Sequence, residues 1–276
     1  MENQLLDNRK LLLHTSGVPP DGESPSKVYL YPNGEVEIQT LARCSQTLAS
    51  YQKLSGGMHL NKNTGEVVAS RQSQCRSENP ESLRKSLRHV QRLIKGNFSG
   101  GPSELFITLT FGPPLFDYSK AIVEGKNFMG RLRYYYPNIQ YIKIIEPHKD
   151  GCWHYHILAK HNDGTPLTAS NDEIKTLWGN GFVKVSRPKP AVLNGSYFAK
   201  PAKQDLFVYY PAHSRIFNCS RGIQRVEPLK MPYHATKEYV TDHKLSYSKT
   251  IHVMLEDEEG RQRTANTITY EQWRPG

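Results

Sequence analysis

Two histidines separated by one residue are the chain's clearest candidates for chemistry. His154 and His156 lie in the run WHYHIL. Because side chains repeat every second residue along a strand, both imidazoles would lie on the same face. Two neutral imidazole nitrogens placed in this way can bind one divalent ion. With 11 histidines among 276 residues, about 0.4 such pairs would arise by chance, so the pair needs support from its surroundings.

A hairpin supplies a carboxylate beside the two histidines. The segments YIKIIE and WHYHILAK flank a short turn, a pattern typical of two antiparallel strands. If residues 149–151 form a three-residue loop, Glu146 lies directly opposite His154. Two histidines and one carboxylate leave coordination positions open for water and phosphate oxygens, and the carboxylate favours Mg²⁺ or Mn²⁺. The predicted metal ligands are therefore Glu146, His154 and His156.

A tyrosine and a lysine further along the chain are the predicted catalytic residues. The segment GSYFAKPAK contains Tyr197 and, three positions later, Lys200, which would share one face of a helix. Attack of a phenol on phosphorus leaves a 5′-phosphotyrosine and a free 3′-hydroxyl, while the metal polarises the scissile phosphate. Lys200 would steady a reacting oxygen or hold the DNA, although Pro201 disfavours helix at that residue. Composition does not select Tyr197 among 16 tyrosines, so a packing aromatic is the alternative.

The overall charge favours a polyanionic partner. The chain has 36 Lys and Arg against 26 Asp and Glu, a net charge of +10, which suits phosphate contacts and counterion release. The four cysteines form no CxxC pair and so indicate neither a zinc ribbon nor a disulfide framework. No apolar run is long enough for a signal peptide or a membrane span. We therefore expect a soluble, cytoplasmic protein.

Three segments are expected along the chain. Residues 1–75 are predicted to be an N-terminal extension with a hairpin at Asn33-Gly34, and residues 211–276 a C-terminal segment with two β-like runs. Residues 76–210 are predicted to form an α+β core. Its strands are expected at LFITLTF, YIKIIE, WHYHILAK and FVKV, and its helices at residues 79–95, after the first strand, at residues 171–178 and around Tyr197.

The helix predicted at residues 79–95 has a basic stripe. Apolar residues recur along it at core spacing, and a neighbouring face is basic. The basic residues are Arg84, Arg88, Arg92 and Lys95. Such a stripe could follow a phosphate backbone, but a solvated helix face has the same pattern. Lys203 is a further candidate for DNA contact.

Three motifs together resemble those of the HUH endonucleases, specifically the rolling-circle replication initiators (Rep proteins) of plasmids, phages and small circular viruses. FITLTF at residues 106–111 resembles the hydrophobic first motif, WHYHIL the two-histidine motif and YFAK the tyrosine motif, in the family's order. Glu146 is similar to the acidic third ligand of these initiators. The resemblance spans roughly residues 76–205.

The resemblance implies a fold and an activity. The fold would be an antiparallel sheet of about five strands, related to RRM-like and ferredoxin-like folds, with the metal on the central strands and the tyrosine on a nearby helix. The activity would be metal-dependent nicking and rejoining of single-stranded or hairpin DNA at a replication origin. A tyrosine that follows the histidines argues against conjugative relaxases, which have the reverse order. Because no GxxxxGK[ST] motif occurs, unwinding and synthesis would depend on a host helicase and polymerase in a bacterial cytoplasm.

Two other functions remain open. A single-tyrosine transposase of the same superfamily would use the same chemistry, although the extensions at both ends fit an initiator better. A non-catalytic DNA-binding module would have histidines that bind nothing. A histidine-triad nucleotide hydrolase is excluded, because it requires a third histidine at the position of Leu158.

Overall fold

The computed structural model describes residues 9–14, 20–42, 51–62, 64–69, 74–78, 80–198, 206–256 and 262–276. The strands are β1 (Arg9–His14), β2 (Pro25–Leu30), β3 (Val36–Leu41), β4 (Tyr51–Lys53), β5 (Met58–Asn61), β6 (Val67–Ala69), β7 (Glu104–Thr110), β8 (Ile139–Pro147), β9 (Trp153–His161), β10 (Val183–Ser186), β11 (Phe217–Cys219), β12 (Leu229–Pro232), β13 (His243–Glu256) and β14 (Gln262–Pro275). The helices are α1 (Pro80–Asn97), α2 (Tyr118–Tyr135), α3 (Asn171–Trp178) and α4 (Pro190–Leu193). In the described part of the chain, no helix has the length and apolar character needed to cross a membrane.

The chain divides into two compact units, and the first is formed by both ends of the chain. It comprises Met1–Arg71 and Val226–Gly276. A six-stranded antiparallel sheet has the order β1-β13-β14-β3-β2-β12, and β4, β5 and β6 form a separate sheet. Asn33 and Gly34 lie in the turn between β2 and β3, where the Asn33 side chain accepts a hydrogen bond from the backbone N–H of Glu35. The three-part division made from the sequence stays a prediction.

The second unit, Gln72–Arg225, contains a five-stranded antiparallel sheet. Its strand order is β10-β7-β9-β8-β11, so β9 lies at the centre with β7 and β8 on either side. The strands expected at LFITLTF, YIKIIE, WHYHILAK and FVKV are β7, β8, β9 and β10. The predicted α+β fold with a central antiparallel sheet is therefore confirmed.

Helix α3 shows how local sequence sets the limits of an element in this unit. The Ser170 hydroxyl accepts a hydrogen bond from the backbone of Glu173, whose carboxylate accepts from the backbone of Ser170, which is a capping box. The helix ends at Gly179, which adopts the left-handed conformation that glycine reaches without steric penalty. These signals are local, and the helix occupies the residues predicted for it.

The two faces of the five-stranded sheet pack against different helices. One face contributes Tyr155 and Ile157 to a core with Phe128 of α2 and Trp178 of α3. The opposite face contributes Leu158 and other apolar residues to a second core with the C-terminal half of α1. Because side chains alternate along β9, His154 and His156 share the α1 face with Leu158.

Two glycines of α2 test the packing of this helix on the sheet. A Cβ at Gly125 would overlap the ring of Tyr155, whose hydroxyl donates to the carbonyl of Ala121, whereas a Cβ at Gly130 would meet nothing within 4 Å. We expect Gly130→Ala to raise the free energy of unfolding by about 0.5–1 kcal/mol. Gly125→Ala should lower it by about 1–3 kcal/mol, because the helix must move off the sheet. Urea unfolding measures both, and equal stabilisation by the two substitutions would contradict this packing.

Candidate functional site

The β8–β9 hairpin brings a carboxylate to the two histidines. Glu146 pairs directly with His154 across the ladder, which is the register expected for a three-residue loop. The backbone N–H of His148 donates to the carbonyl of Cys152 at 2.7 Å, and that of Gly151 donates to the carbonyl of His148 at 2.9 Å. These bonds close the turn and fix which residues face each other on the two strands.

The donor atoms of Glu146, His154 and His156 converge. The two histidine Nε2 atoms are 3.0 Å apart, and Glu146 Oε2 lies 3.7 Å from His154 Nε2 and 3.4 Å from His156 Nε2. Adjacent ligands with bonds of about 2.1 Å lie about 3.0 Å apart around an octahedral ion and about 3.4 Å apart around a tetrahedral ion. The three separations therefore fit one shared cation. Among the described residues, this is the one cluster of three or more metal-ligand side chains.

Burial also favours a cation at this cluster. All three side chains are buried, and a buried carboxylate or imidazole lone pair is stable only when it is paired, hydrogen-bonded or bound to a metal. Two imidazole nitrogens at this separation must share a proton or face a cation, because their lone pairs repel. Nitrogen and oxygen donors of this kind suit divalent ions.

His156 is oriented by strand β7. Thr108 pairs with it across the ladder, and the Thr108 hydroxyl lies 3.1 Å from His156 Nδ1. The ring of Phe106 stacks on the imidazole with 5.3 Å between centroids and an interplanar angle of 14°. A partner on one ring nitrogen directs the other toward the metal position. Sequence reasoning missed Thr108, because the register of two strands that are not consecutive cannot be read from a loop.

Tyr197 lies beside the cluster. Its hydroxyl oxygen is 3.5 Å from His156 Nε2, and its ring is nearly perpendicular to that imidazole, with 5.3 Å between centroids. The phenol is half-buried, and this burial, followed by the nearby charge of Glu146, raises the pKa of Tyr197 above its usual value. The structure thus brings the predicted nucleophile and the predicted ligands together.

The turn that carries Tyr197 is held by α1 and the core. The helix predicted around Tyr197 is wrong at that residue, because α4 ends at Leu193 and is followed by Gly195 with a φ of 69°. A Cβ at Gly195 would lie 2.9 Å from the Cα of Gln91 on α1, so only glycine fits this close approach. Phe198 is buried in the second core and anchors the other side of the turn.

The remaining predicted site residues lie elsewhere or outside the described part of the chain. Lys200 and Lys203 fall among residues that the structure does not describe. Arg84 is exposed on α1, and Arg88 and Arg92 are partly exposed. Lys95 is only 7% exposed, because the last turns of α1 pack on the sheet through neighbours such as Ile94. It therefore does not extend the solvent-facing stripe predicted for this helix.

The positive charge is concentrated in the unit that contains the cluster. Residues 72–225 contain 22 Lys and Arg against 11 Asp and Glu, while the rest of the chain contains 14 against 15. The net charge of +10 thus comes from +11 in one unit and −1 in the other. A polyanion would be attracted to the unit with the candidate site.

The contact between Thr108 and His156 can be tested by metal binding. Thr108→Val removes the hydroxyl but keeps the shape of the side chain, so we expect the affinity for Mn²⁺ to fall by about tenfold as His156 loses its orienting partner. Thr110→Val is the matched control on the same strand and face, opposite His154, and should leave the affinity unchanged. Titration calorimetry without DNA measures both. Equal affinities for the two variants would contradict the role given to Thr108.

Comparison with known proteins identifies the central part of this unit. Residues 104–205 match a family model of replication-associated proteins of the ORF2 type. Among curated proteins, none matches the chain. A solved structure of the N-terminal nuclease domain of non-structural protein 1 from minute virus of mice is 11% identical over 81% of this chain and 79% of that chain, but the TM-score of 0.18 is too low to support any argument. The family match runs from β7 past Tyr197 and confirms the resemblance to Rep proteins of the HUH class: residues 104–205 are a segment of the replication-associated ORF2 type.

Proposed function

We propose that this chain is a rolling-circle replication initiator that nicks and rejoins one DNA strand at a replication origin through Tyr197. The observation that carries the proposal is the 3.5 Å separation between the Tyr197 hydroxyl and His156 Nε2. It puts a nucleophilic oxygen next to a cluster whose geometry fits a divalent cation. The match of residues 104–205 to a replication-associated family supports the biological process.

The reaction is a transesterification. The Tyr197 oxygen attacks the scissile phosphorus, a phenolic ester to the 5′-phosphate forms, and the bond to the 3′-oxygen breaks. The number of phosphodiester bonds is conserved, so attack by a 3′-hydroxyl on the tyrosyl ester rejoins a strand. Glu146, His154 and His156 would hold the metal, and a bound divalent cation supplies charge stabilisation at the phosphate. Lys200 remains a candidate for steadying the departing oxygen.

A strip of the sheet next to the cluster is suited to a single DNA strand. Across three strands, His156 is followed by Thr108 and then by Lys184 on the edge strand β10. Opposed residues point to the same face, and so does Phe182, two residues before Lys184. Phe182 is 66% exposed and Lys184 is exposed. An aromatic ring and a lysine are the two elements of sequence-tolerant single-strand binding, through base stacking and phosphate contact.

The strip lies close enough to the cluster to contact the DNA that flanks the cut. Two strand spacings, about 10 Å, separate the backbones of His156 and Lys184. The strip is also part of the basic unit, whose charge draws DNA to this surface. We propose that Phe182 and Lys184 hold the substrate strand while Tyr197 reacts.

Covalent labelling tests the proposed reaction. Purified protein is incubated with Mn²⁺ and single-stranded oligonucleotides that tile the DNA flanking its gene, and the products are separated on denaturing gels and mapped by mass spectrometry. We expect a 5′-phosphate adduct on Tyr197 that is absent in Tyr197→Phe, in His154→Ala and in the presence of a chelator. Tyr135→Phe, an exposed tyrosine of α2, should form the adduct normally. An adduct on another tyrosine, or no adduct with any oligonucleotide, would contradict the proposal.

Binding without cleavage tests the proposed DNA strip. A fluorescent single-stranded oligonucleotide of about 15 nucleotides is titrated in EDTA, and anisotropy reports the affinity. We expect Phe182→Ala to weaken binding by about tenfold, because one base loses its stacking partner. Lys184→Ala should reduce the slope of log affinity against log salt by about 0.7, because one phosphate contact is lost.

Tyr134→Ala provides the matched control for this experiment. Tyr134 is an exposed aromatic residue on α2, outside the strip, and its removal should leave the affinity unchanged. If Phe182→Ala and Lys184→Ala bind the oligonucleotide as Tyr134→Ala does, the DNA strand follows another path.

A further inference from the structure

A third histidine lies against the cluster without belonging to it. The ring of His148 stacks on the ring of His154, with 3.9 Å between centroids and 22° between planes. His148 is exposed at the end of β8, and the three converging ligands do not include it. Its position next to a predicted ligand calls for a physical role.

The two histidines of the cluster are held by different contacts. His156 has the Thr108 hydroxyl at Nδ1 and Phe106 stacked on its ring. His154 meets His156 edge-on, with 4.7 Å between centroids and 87° between planes, and receives its face-to-face contact from His148. A flat ring packed at this distance blocks rotation of the neighbouring imidazole about its side-chain torsions. His148 thus supports His154 as Phe106 supports His156.

The turn that carries His148 is itself well fixed. The backbone of His148 makes two hydrogen bonds within the turn, to Cys152 and from Gly151. The Asp150 carboxylate accepts a hydrogen bond from the backbone of Cys152 at 3.0 Å. The ring of Tyr209 lies where a Cβ at Gly151 would be, so it packs closely on the turn. A ring attached to this backbone can act as a fixed support.

We propose that His148 is a positioning residue that holds His154 with Nε2 directed at Glu146 and His156. This inference rests on the proposed function in one respect, namely that these three residues bind the metal. The ring face of His148 does the positioning, so another flat aromatic ring should replace it and a small side chain should not. The advantage is preorganisation: a ligand already in its binding orientation loses less conformational freedom when the metal binds.

Metal affinity, measured on the full chain without DNA, tests this role. We expect His148→Ala to weaken Mn²⁺ binding by about tenfold in titration calorimetry, and His148→Phe to restore an affinity close to that of the wild type. Lys149→Ala, which changes the next residue of the same turn, should bind Mn²⁺ normally. The thermal midpoint of the metal-free protein should be the same for all three variants, which separates positioning from a general loss of structure.

Two results would overturn the inference, and a further variant separates it from the proposed function. Wild-type affinity in His148→Ala would show that the stack does not matter, and an equally weak His148→Phe would show that a ring nitrogen acts instead of the ring face. His154→Ala should abolish binding at the cluster. If it does so while His148→Ala binds normally, only the role of His148 fails. If His154→Ala binds like the wild type, the metal site of the proposed function fails as well.

Discussion

The pairing register of β8 and β9 is the constraint on which the site depends. Side chains alternate between the faces of a strand, so a slip of one residue would put Glu146 and His154 on opposite sides of the sheet. The short turn between the strands sets the register. The opposite face stabilises it, because Trp153 and Tyr155 are buried in the core against α2 and α3. The same packing that folds the sheet thus holds the ligands in place.

The α1 face combines an apolar core with the polar cluster, and this combination affects the chemistry. Apolar side chains beneath the cluster exclude water, which strengthens electrostatic interactions among the groups that remain. The ligands lie on β8 and β9, whereas Tyr197 lies on a separate turn that Gly195 allows to approach α1. Nucleophile and ligands therefore come from elements that are fixed independently, and the sheet brings them within contact distance.

Much of this arrangement could be predicted from the sequence, because the signals were local. The limits of α3, the strands of the central sheet and the pairing of Glu146 with His154 follow from caps, alternation and loop length. The contact of Thr108 with His156 could not be predicted, because it depends on the register of strands far apart in the chain. The same applies to the pairing of β3 with β14, which joins the two ends of the chain in one sheet. The helix at Tyr197 was wrong because Gly195 ends it, and Lys95 was misjudged because helical periodicity does not show where a helix packs.

The central claim is that Glu146, His154 and His156 bind one divalent cation beside Tyr197. Anomalous X-ray diffraction from crystals soaked in Mn²⁺ tests it most directly. The account predicts a single strong peak about 2.2 Å from the Glu146 carboxylate and from the Nε2 atoms of both histidines, with the Tyr197 hydroxyl next to it. Manganese bound at other residues, with no peak at these three, would contradict the account.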